Sequence, residues 1–372
     1  MTVSQPLQQI DRTYVRYQGR KLSYFAGCDY FRLASHPKVL RAVAQGLKKY
    51  GLNVSASRLT TGNHRIYELL EVQLARFFGV ESATLTSNGY APNLLVAQAL
   101  AGQYSHALMD ERAHGSLIDA AQLLDCPVLK FKHRDAGDLA RILQRLGGIK
   151  PIILTDGMFS HDGSIAPIQD YLRLLPPQGM LLLDDAHGAG ILGRNGKGTP
   201  EHARVNRKQI IQTVTLSKAF GVYGGAVLGR RALKAAIIAR SRLFVGNTPL
   251  PLPLAFAAIT AIALLRSDGK LRSRLTRNTE KLKARLHAAG FPVENNASPI
   301  VPLVPRDHRE ATLIRRKLLA VAIHPPFIRY PGGPKHGYFR FVISSEHTSG
   351  QLESLEKVLL SLSQGGENAR TS

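Results

Sequence analysis

The chain has 372 residues, 44% of them hydrophobic and 20% charged, and a formal net charge of +23. Such a composition excludes a disordered or fibrous chain, and no apolar run is long enough to span a bilayer. The only cysteines, Cys28 and Cys126, lie in unrelated contexts without metal-type spacing, which reads as two reduced thiols and no metal site.

The opening "MTVSQPLQQIDRTYVRY" has no apolar core of the secretory kind, so the expected address is the cytoplasm. A surplus of +23 attracts polyanions: nucleic acid, an acidic carrier protein, or the phosphates of coenzyme A. The basic residues sit in "RRALKAAIIARSRL", "KLRSRLTRNTEKLKARL" and "LIRRKLL", which also carry apolar residues at helical spacing. They read as solvated faces of amphipathic helices rather than as a nucleic-acid stripe.

In chain order, "TYVRYQGRKLSYF" predicts a hairpin around Gly19. "SHPKVLRAVAQGLKKYGL" predicts a helix capped by Ser35, with Pro37 in its first turn, Val39, Val43 and Leu47 on one face, and Gly51 at its end. "YELLEVQLARFFG" is a second helix, stopped by Gly79. Seven short apolar runs come next, "SATLTS", "HALMD", "PVLKF", "PIILTD", "MLLLDD", "QTVTLS" and "GAVLG", with helical stretches between most of the early ones. Alternation of that kind predicts a mostly parallel sheet covered on both faces. A long helix, Asp268 to Ala289, then leads to strands "SPIVPLV" and "YFRFVIS" and a closing helix, "TSGQLESLEKVLLSLS". The pattern divides as an N-terminal segment, 1–50, a large α/β domain, 51–265, and a smaller C-terminal α+β domain, 266–372.

Ligands of an open α/β sheet sit at the carboxyl ends of the strands. After "SATLTS" comes "NGYAPNLL", where Gly89 leads into a helix whose first amides are expected to be free for an anion. His114 follows "HALMD", Asp156 and Ser160 follow "PIILTD", Asp184 and His187 follow "MLLLDD", and Lys218 follows "QTVTLS". Each has an ordinary reading alone: a structural glycine, a loop histidine, an acidic pair Asp184–Asp185 capping the next helix, a surface lysine. Together they fit pyridoxal 5'-phosphate, which needs an amine for its Schiff base, a carboxylate for its ring nitrogen, a flat partner for its ring, and amides or hydroxyls for its phosphate.

The segments "SRLTTGNH", "SNGYAPN", "FSHDGSIAP", "DDAHGAGILGRNGKGT", "TLSKAFG" and "GYFRFVISSEHT" resemble, in order and spacing, the α-oxoamine synthases. These are fold-type I pyridoxal-phosphate enzymes that condense an amino acid with an acyl thioester and release carbon dioxide. "SRLTTGNH", which contains Ser57, is most similar to the branch that makes 8-amino-7-oxononanoate for biotin. The resemblance implies Lys218 as the Schiff-base lysine, Asp184 on the pyridine nitrogen, His187 as a donor to the ring oxygen and His114 stacked on the ring. It implies Asn88, Gly89, Tyr90, Thr215 and Thr248 from a second subunit around the phosphate, and Ser160 near the ring oxygen. Arg340, Arg329 and Ser57 are then substrate residues, with Arg340 on the amino acid carboxylate.

The same resemblance implies a homodimer with its active site at the subunit interface, an amino acid substrate (L-alanine) and a pimeloyl thioester of coenzyme A or of an acyl carrier protein. Departures from the family are Asn53, Ser55 and Ala56 where glycines are usual, Arg32 for glycine, Asn88 for serine, Asp156 for glutamate and His161 for methionine. The loop "RYPGGPKHG" is one residue short, and the family's leading helix is short or missing before "RTYVRY". Another branch of the family or a same-fold aminotransferase is the near alternative. A basic nucleic-acid-binding protein on a degenerate scaffold is the distant one, disfavoured because a binder has no use for Lys218, Asp184, His187 and His114 together.

Overall fold

The computed structural model describes residues 5–329 and 333–367, so Tyr330, Pro331 and Gly332 of the short loop lie outside the described residues. Contacts divide the chain into two units. The larger comprises Pro37–Phe159 and Ile165–Asp268; the smaller takes the described parts of Met1–His36, Ser160–Ser164 and Gly269–Ser372.

The larger unit carries seven strands: β1 (Ser82–Thr86), β2 (His106–Asp110), β3 (Val128–Phe131), β4 (Pro151–Asp156), β5 (Met180–Asp184), β6 (Ile210–Thr215) and β7 (Gly225–Gly229). They form one sheet in the order β1-β7-β6-β5-β4-β2-β3. Only β7 runs antiparallel to its neighbours, so the mostly parallel seven-stranded sheet of the sequence reading is the observed fold. Strands β4 and β6 are buried along their whole length, as expected of apolar runs covered on both faces. Alternation divides β4 and β5 between two cores: Ile152, Leu154 and Leu182 pack with helices Ala91–Leu100 and Gly115–Gln122, whereas Ile153, Leu181 and Leu183 pack with Ala136–Leu146 and Ile168–Leu174.

Helix Pro37–Tyr50 forms, but not with the predicted cap or face. Ser35 closes a 3-10 turn, Leu33–Ser35, and its hydroxyl is buried without a hydrogen-bond partner. The buried positions are Val39, Ala42 and Gly46, while Leu47 is 50% exposed. Close approach of another helix, Leu252–Ser267, explains the rotation: a Cβ on Gly46 would lie 2.9 Å from Pro253 Cα. That packing puts Pro37–Tyr50 with the larger unit, whereas the sequence reading set its lines at 50/51 and 265/266. Helix Arg65–Phe78 ends on Gly79 at φ 68°, as its glycine predicts.

In the smaller unit the hairpin Tyr14–Tyr17/Arg20–Ser23 turns through Gln18 and Gly19, both left-handed, at φ 49° and 74°. Strand Gln8–Gln9, not anticipated, adds to its edge. A second antiparallel sheet orders Ile300–Leu303, Tyr338–Val342 and Phe327–Ile328. Helices Gly269–Ala288, His308–Ala320 and Ser349–Glu367 belong to the same unit, whose core includes Phe25, Leu286, Ile314, Phe339 and Leu355. The amino-terminal hairpin joins this core because Ser23 pairs with Ile323 and the Val342 amide donates to the Phe25 carbonyl. Among the described residues no single helix is long and apolar enough to cross a membrane.

Candidate functional site

At the carboxyl ends of β4, β5 and β6 the larger unit holds a cavity of about 180 Å³, lined by Gly89, Tyr90, His114, Asp156, Asp184, Ala186, His187, Thr215 and Lys218. Eight of the residues singled out in the sequence, Asp156 among them, therefore meet.

Asp184 ends β5 and is buried. One of its oxygens accepts the Ala186 amide at 3.1 Å; the other accepts Asn93 Nδ2 at 2.7 Å and Ser116 Oγ at 3.3 Å. Asn93 is itself fully buried, donates to Ser116 Oγ at 2.9 Å and accepts from Thr213 Oγ1 at 2.7 Å. The carboxylate is thus aimed by a closed polar network rather than by packing alone.

Asp156 ends β4 directly opposite Asp184 in the sheet register. Burial, and then repulsion by Asp184, push its carboxyl well above the usual carboxylate range, although the His114 amide donates to it at 2.8 Å. Two neighbouring carboxyls resist ionising together, which adds to the effect of burial on Asp156.

His114 caps helix Gly115–Gln122: its Nδ1 accepts the Ser116 amide at 3.2 Å, which leaves the neutral ring's proton on Nε2. Burial lowers its pKa, Asp184 raises it and the Lys218 ammonium lowers it again, so the imidazole stands neutral at physiological pH. The Tyr90 ring meets it edge-on at 6.0 Å, and Tyr90 Oη donates to Asp119 at 2.5 Å. His187 is buried in the turn after β5.

Gly89 has no room for a side chain, since a Cβ would fall 2.4 Å from Thr215 Oγ1. Thr215 ends β6, and its hydroxyl donates to the Gly224 carbonyl at 3.2 Å. Half-buried Lys218 comes after it in a turn closed by the Gly221 amide on the Lys218 carbonyl at 3.0 Å. Gly190, at φ +85°, makes way for the next residue, because its Cβ would stand 2.6 Å from Ala219. Asp185 points away from the cavity, accepting the Thr199 amide and hydroxyl at 2.9 and 2.6 Å and Gln212 at 2.5 Å. Only this second member of the acidic pair caps the next helix, Thr199–His202.

Other expected site residues lie elsewhere. The amides after Gly89 are not free, because Asn88 Oδ1 accepts those of Tyr90 and Ala91 at 2.9 and 3.0 Å, and Asn88 does not line the cavity. Ser57 holds its own loop, donating to the Val245 carbonyl and accepting the Leu59 amide. Thr248 is exposed. In the smaller unit Arg340 Nη1 donates to the Ser160 carbonyl at 3.0 Å, Cys28 Sγ lies 3.9 Å from Arg340 Nη2, and Arg329 is exposed with its guanidinium 5.8 Å from the Phe327 ring. Asn93, Ser116 and Thr213 escaped the sequence reading; the available signal was one asparagine in the otherwise apolar helix face "APNLLVAQAL". Among the described residues no group of three or more His, Cys, Asp or Glu is placed to hold a metal ion.

The cavity thus offers an amine, a carboxylate with fixed direction, a neutral imidazole and a hydroxyl beside a glycine. That donor set suits a ligand bearing a carbonyl, a basic ring nitrogen and an anion.

The sequence pattern of the family described as "Aminotransferase class I and II" matches residues 28–359. A curated 8-amino-7-oxononanoate synthase from Thioalkalivibrio sulfidiphilus (strain HL-EbGR7) is 38% identical over 354 residues, 94% of this chain and 90% of that protein. Among solved structures, a variant of the serine palmitoyltransferase from S. paucimobilis with a bound PLP–myriocin aldimine aligns with a TM-score of 0.89 at 27% identity, over 96% of this chain and 91% of that one. The 8-amino-7-oxononanoate synthase from Francisella tularensis aligns with a TM-score of 0.80 at 26% identity, over 93% and 99% of the two chains.

Proposed function

The chain belongs to the class I and II aminotransferase family, and from that premise we propose a pyridoxal-phosphate-dependent acyltransferase. It joins L-alanine to a pimeloyl thioester of coenzyme A or acyl carrier protein, with loss of carbon dioxide, to give 8-amino-7-oxononanoate. The observation that carries this reading is the meeting of Lys218, Asp184, His114 and His187 in one cavity with Gly89 and Thr215.

The residues present fit the cofactor. Asp184, held by Asn93 and Ser116, suits a protonated ring nitrogen, and the bare Gly89 leaves a cradle for a phosphate beside Thr215 and Tyr90. Pyridoxal phosphate, when bound, supplies an electron sink for negative charge at the amino acid α-carbon.

Lys218 is the amine that attaches the cofactor and the base that moves the α-proton. His114, its pKa lowered by burial, would offer its imidazole to the ring, and His187 and Ser160 would hold the ring oxygen. Asn88 holds the turn at Gly89 through its cap on Tyr90 and Ala91, and Thr248 would serve the phosphate bound by a second copy. Arg340 takes the alanine carboxylate by two parallel charge-assisted hydrogen bonds, with Arg329 beside the substrate and Ser57 fixing the loop above it. The exposed Leu40, Leu47 and Leu52, at 52%, 50% and 62%, support a homodimer that covers them.

L-Serine is the competing amino acid, because a serine palmitoyltransferase aligns with a higher TM-score than the synthase does. Mass spectrometry of the products from protein, cofactor, pimeloyl thioester and either amino acid separates the two. Alanine is expected to give 8-amino-7-oxononanoate; product from serine alone would move the chain to another branch, and no product from any amino acid would remove the reaction.

A further inference from the structure

The smaller unit holds a second cavity, of about 460 Å³, which lies in the range of about 300–1,000 Å³ usual for ligand pockets. Leu7, Leu319, Pro326 and Phe327 give it an apolar wall, Arg315 and Arg340 supply two cations, and no Asp or Glu lines it. The Arg315 guanidinium carbon lies over the Phe327 ring, 4.2 Å from its centroid, and among the described residues it makes no ion pair. His324, in the same wall, is kept neutral by burial, and its Nδ1 has no partner. A guanidinium held over a ring face by cation–π attraction keeps N–H donors for an outside acceptor. An apolar wall closed by such a group suits an aliphatic chain with an anionic end.

We propose that this cavity binds the aliphatic chain of the acyl donor and that Arg315 selects a donor whose far end is a carboxylate. Arg340 lines the same cavity and supplies its second cation. The identity of the chain rests on the proposed reaction; the existence of a site for a carboxylate-ended chain does not.

The test is calorimetric titration of the full-length protein with two seven-carbon probes: heptanedioic acid monoamide, which ends in a carboxylate, and heptanamide, which ends in a methyl group. The monoamide is expected to bind about tenfold or more tighter, the usual worth of one charge-assisted hydrogen-bonded pair. In Arg315→Gln that preference should collapse while heptanamide affinity stays as it was. Arg315 is exposed on its helix, so the substitution leaves the core intact. Equal affinity of the two probes for the wild-type protein, or an undiminished preference in Arg315→Gln, overturns the proposal. A preference that depends on Arg315 in a protein that makes no condensation product supports this site and removes the reaction; condensation without any preference does the reverse.

Discussion

Asn93 is the residue on which the direction of Asp184 depends most. Its amide donates to Asp184 and Ser116 while accepting from Thr213, all without solvent. Asn93→Ala leaves one lone pair of Asp184 unsatisfied and the Thr213 hydroxyl with only the Leu183 carbonyl at 3.4 Å, at a cost of roughly 1–3 kcal/mol by the usual penalty for a buried orphan group. The expected result is a lower denaturation midpoint together with about tenfold weaker cofactor binding, measured by absorbance titration. Loss of stability with unchanged cofactor affinity would make Asn93 a purely structural residue. Lys218, Asp184, His114 and His187 were legible in the sequence because each ends or follows a strand, and strand ends converge by topology. Asn93 was not, because its partners Asp184 and Thr213 stand 91 and 120 positions away and only distance in space reveals them.

Among elements, the strands were the most legible, since alternation along Ile152, Ile153 and Leu154 divides cleanly between two cores. Helix Pro37–Tyr50 was legible as a helix but not as a face, because its contact is made by a missing side chain. Gly46→Val drives a Cβ to 2.9 Å from Pro253 Cα and should lower stability by roughly 1–3 kcal/mol, the usual cost of overpacking. The exposed Gln45→Ala on the same helix should change it by less than about 0.5 kcal/mol. Equal effects in urea melts would mean that the helix does not pack through Gly46. Arg32 and Ser55, where the resemblance leads one to expect glycine, have left-handed backbone at φ 52° and 49°. Arg32 offsets that strain by donating to the Tyr24 carbonyl at 3.0 Å from a fully buried guanidinium, a compensation the sequence does not display.

At the scale of the whole molecule, a charge of +23 bears on encounter with anions in general rather than on fold. Stability against acid has a more local source. His347 is buried against Phe25, accepts the Ser344 amide on Nδ1 and donates from Nε2 to the Tyr24 carbonyl. Burial, with Arg32 nearby, lowers its pKa to about 3. The unfolded chain therefore takes up a proton near the ordinary histidine value while the folded one does not. The His347 contribution is whole above that value and is lost as pH falls toward about 3, at about 1.4 kcal/mol per pH unit. Asp185, raised to about 7 by burial, acts in the opposite sense, its share being lost as pH rises through that value. Urea midpoints of wild type and His347→Gln should thus diverge in slope by about one proton between about pH 6 and 4, and parallel slopes would contradict the assignment. The central claim, that Lys218 carries the cofactor, is tested most directly by borohydride reduction of the protein loaded with pyridoxal phosphate and then peptide mass spectrometry. A reduced phosphopyridoxyl group on the peptide containing Lys218, absent from Lys218→Ala, is the predicted result. The same label on another lysine, or its persistence in Lys218→Ala, would contradict the account.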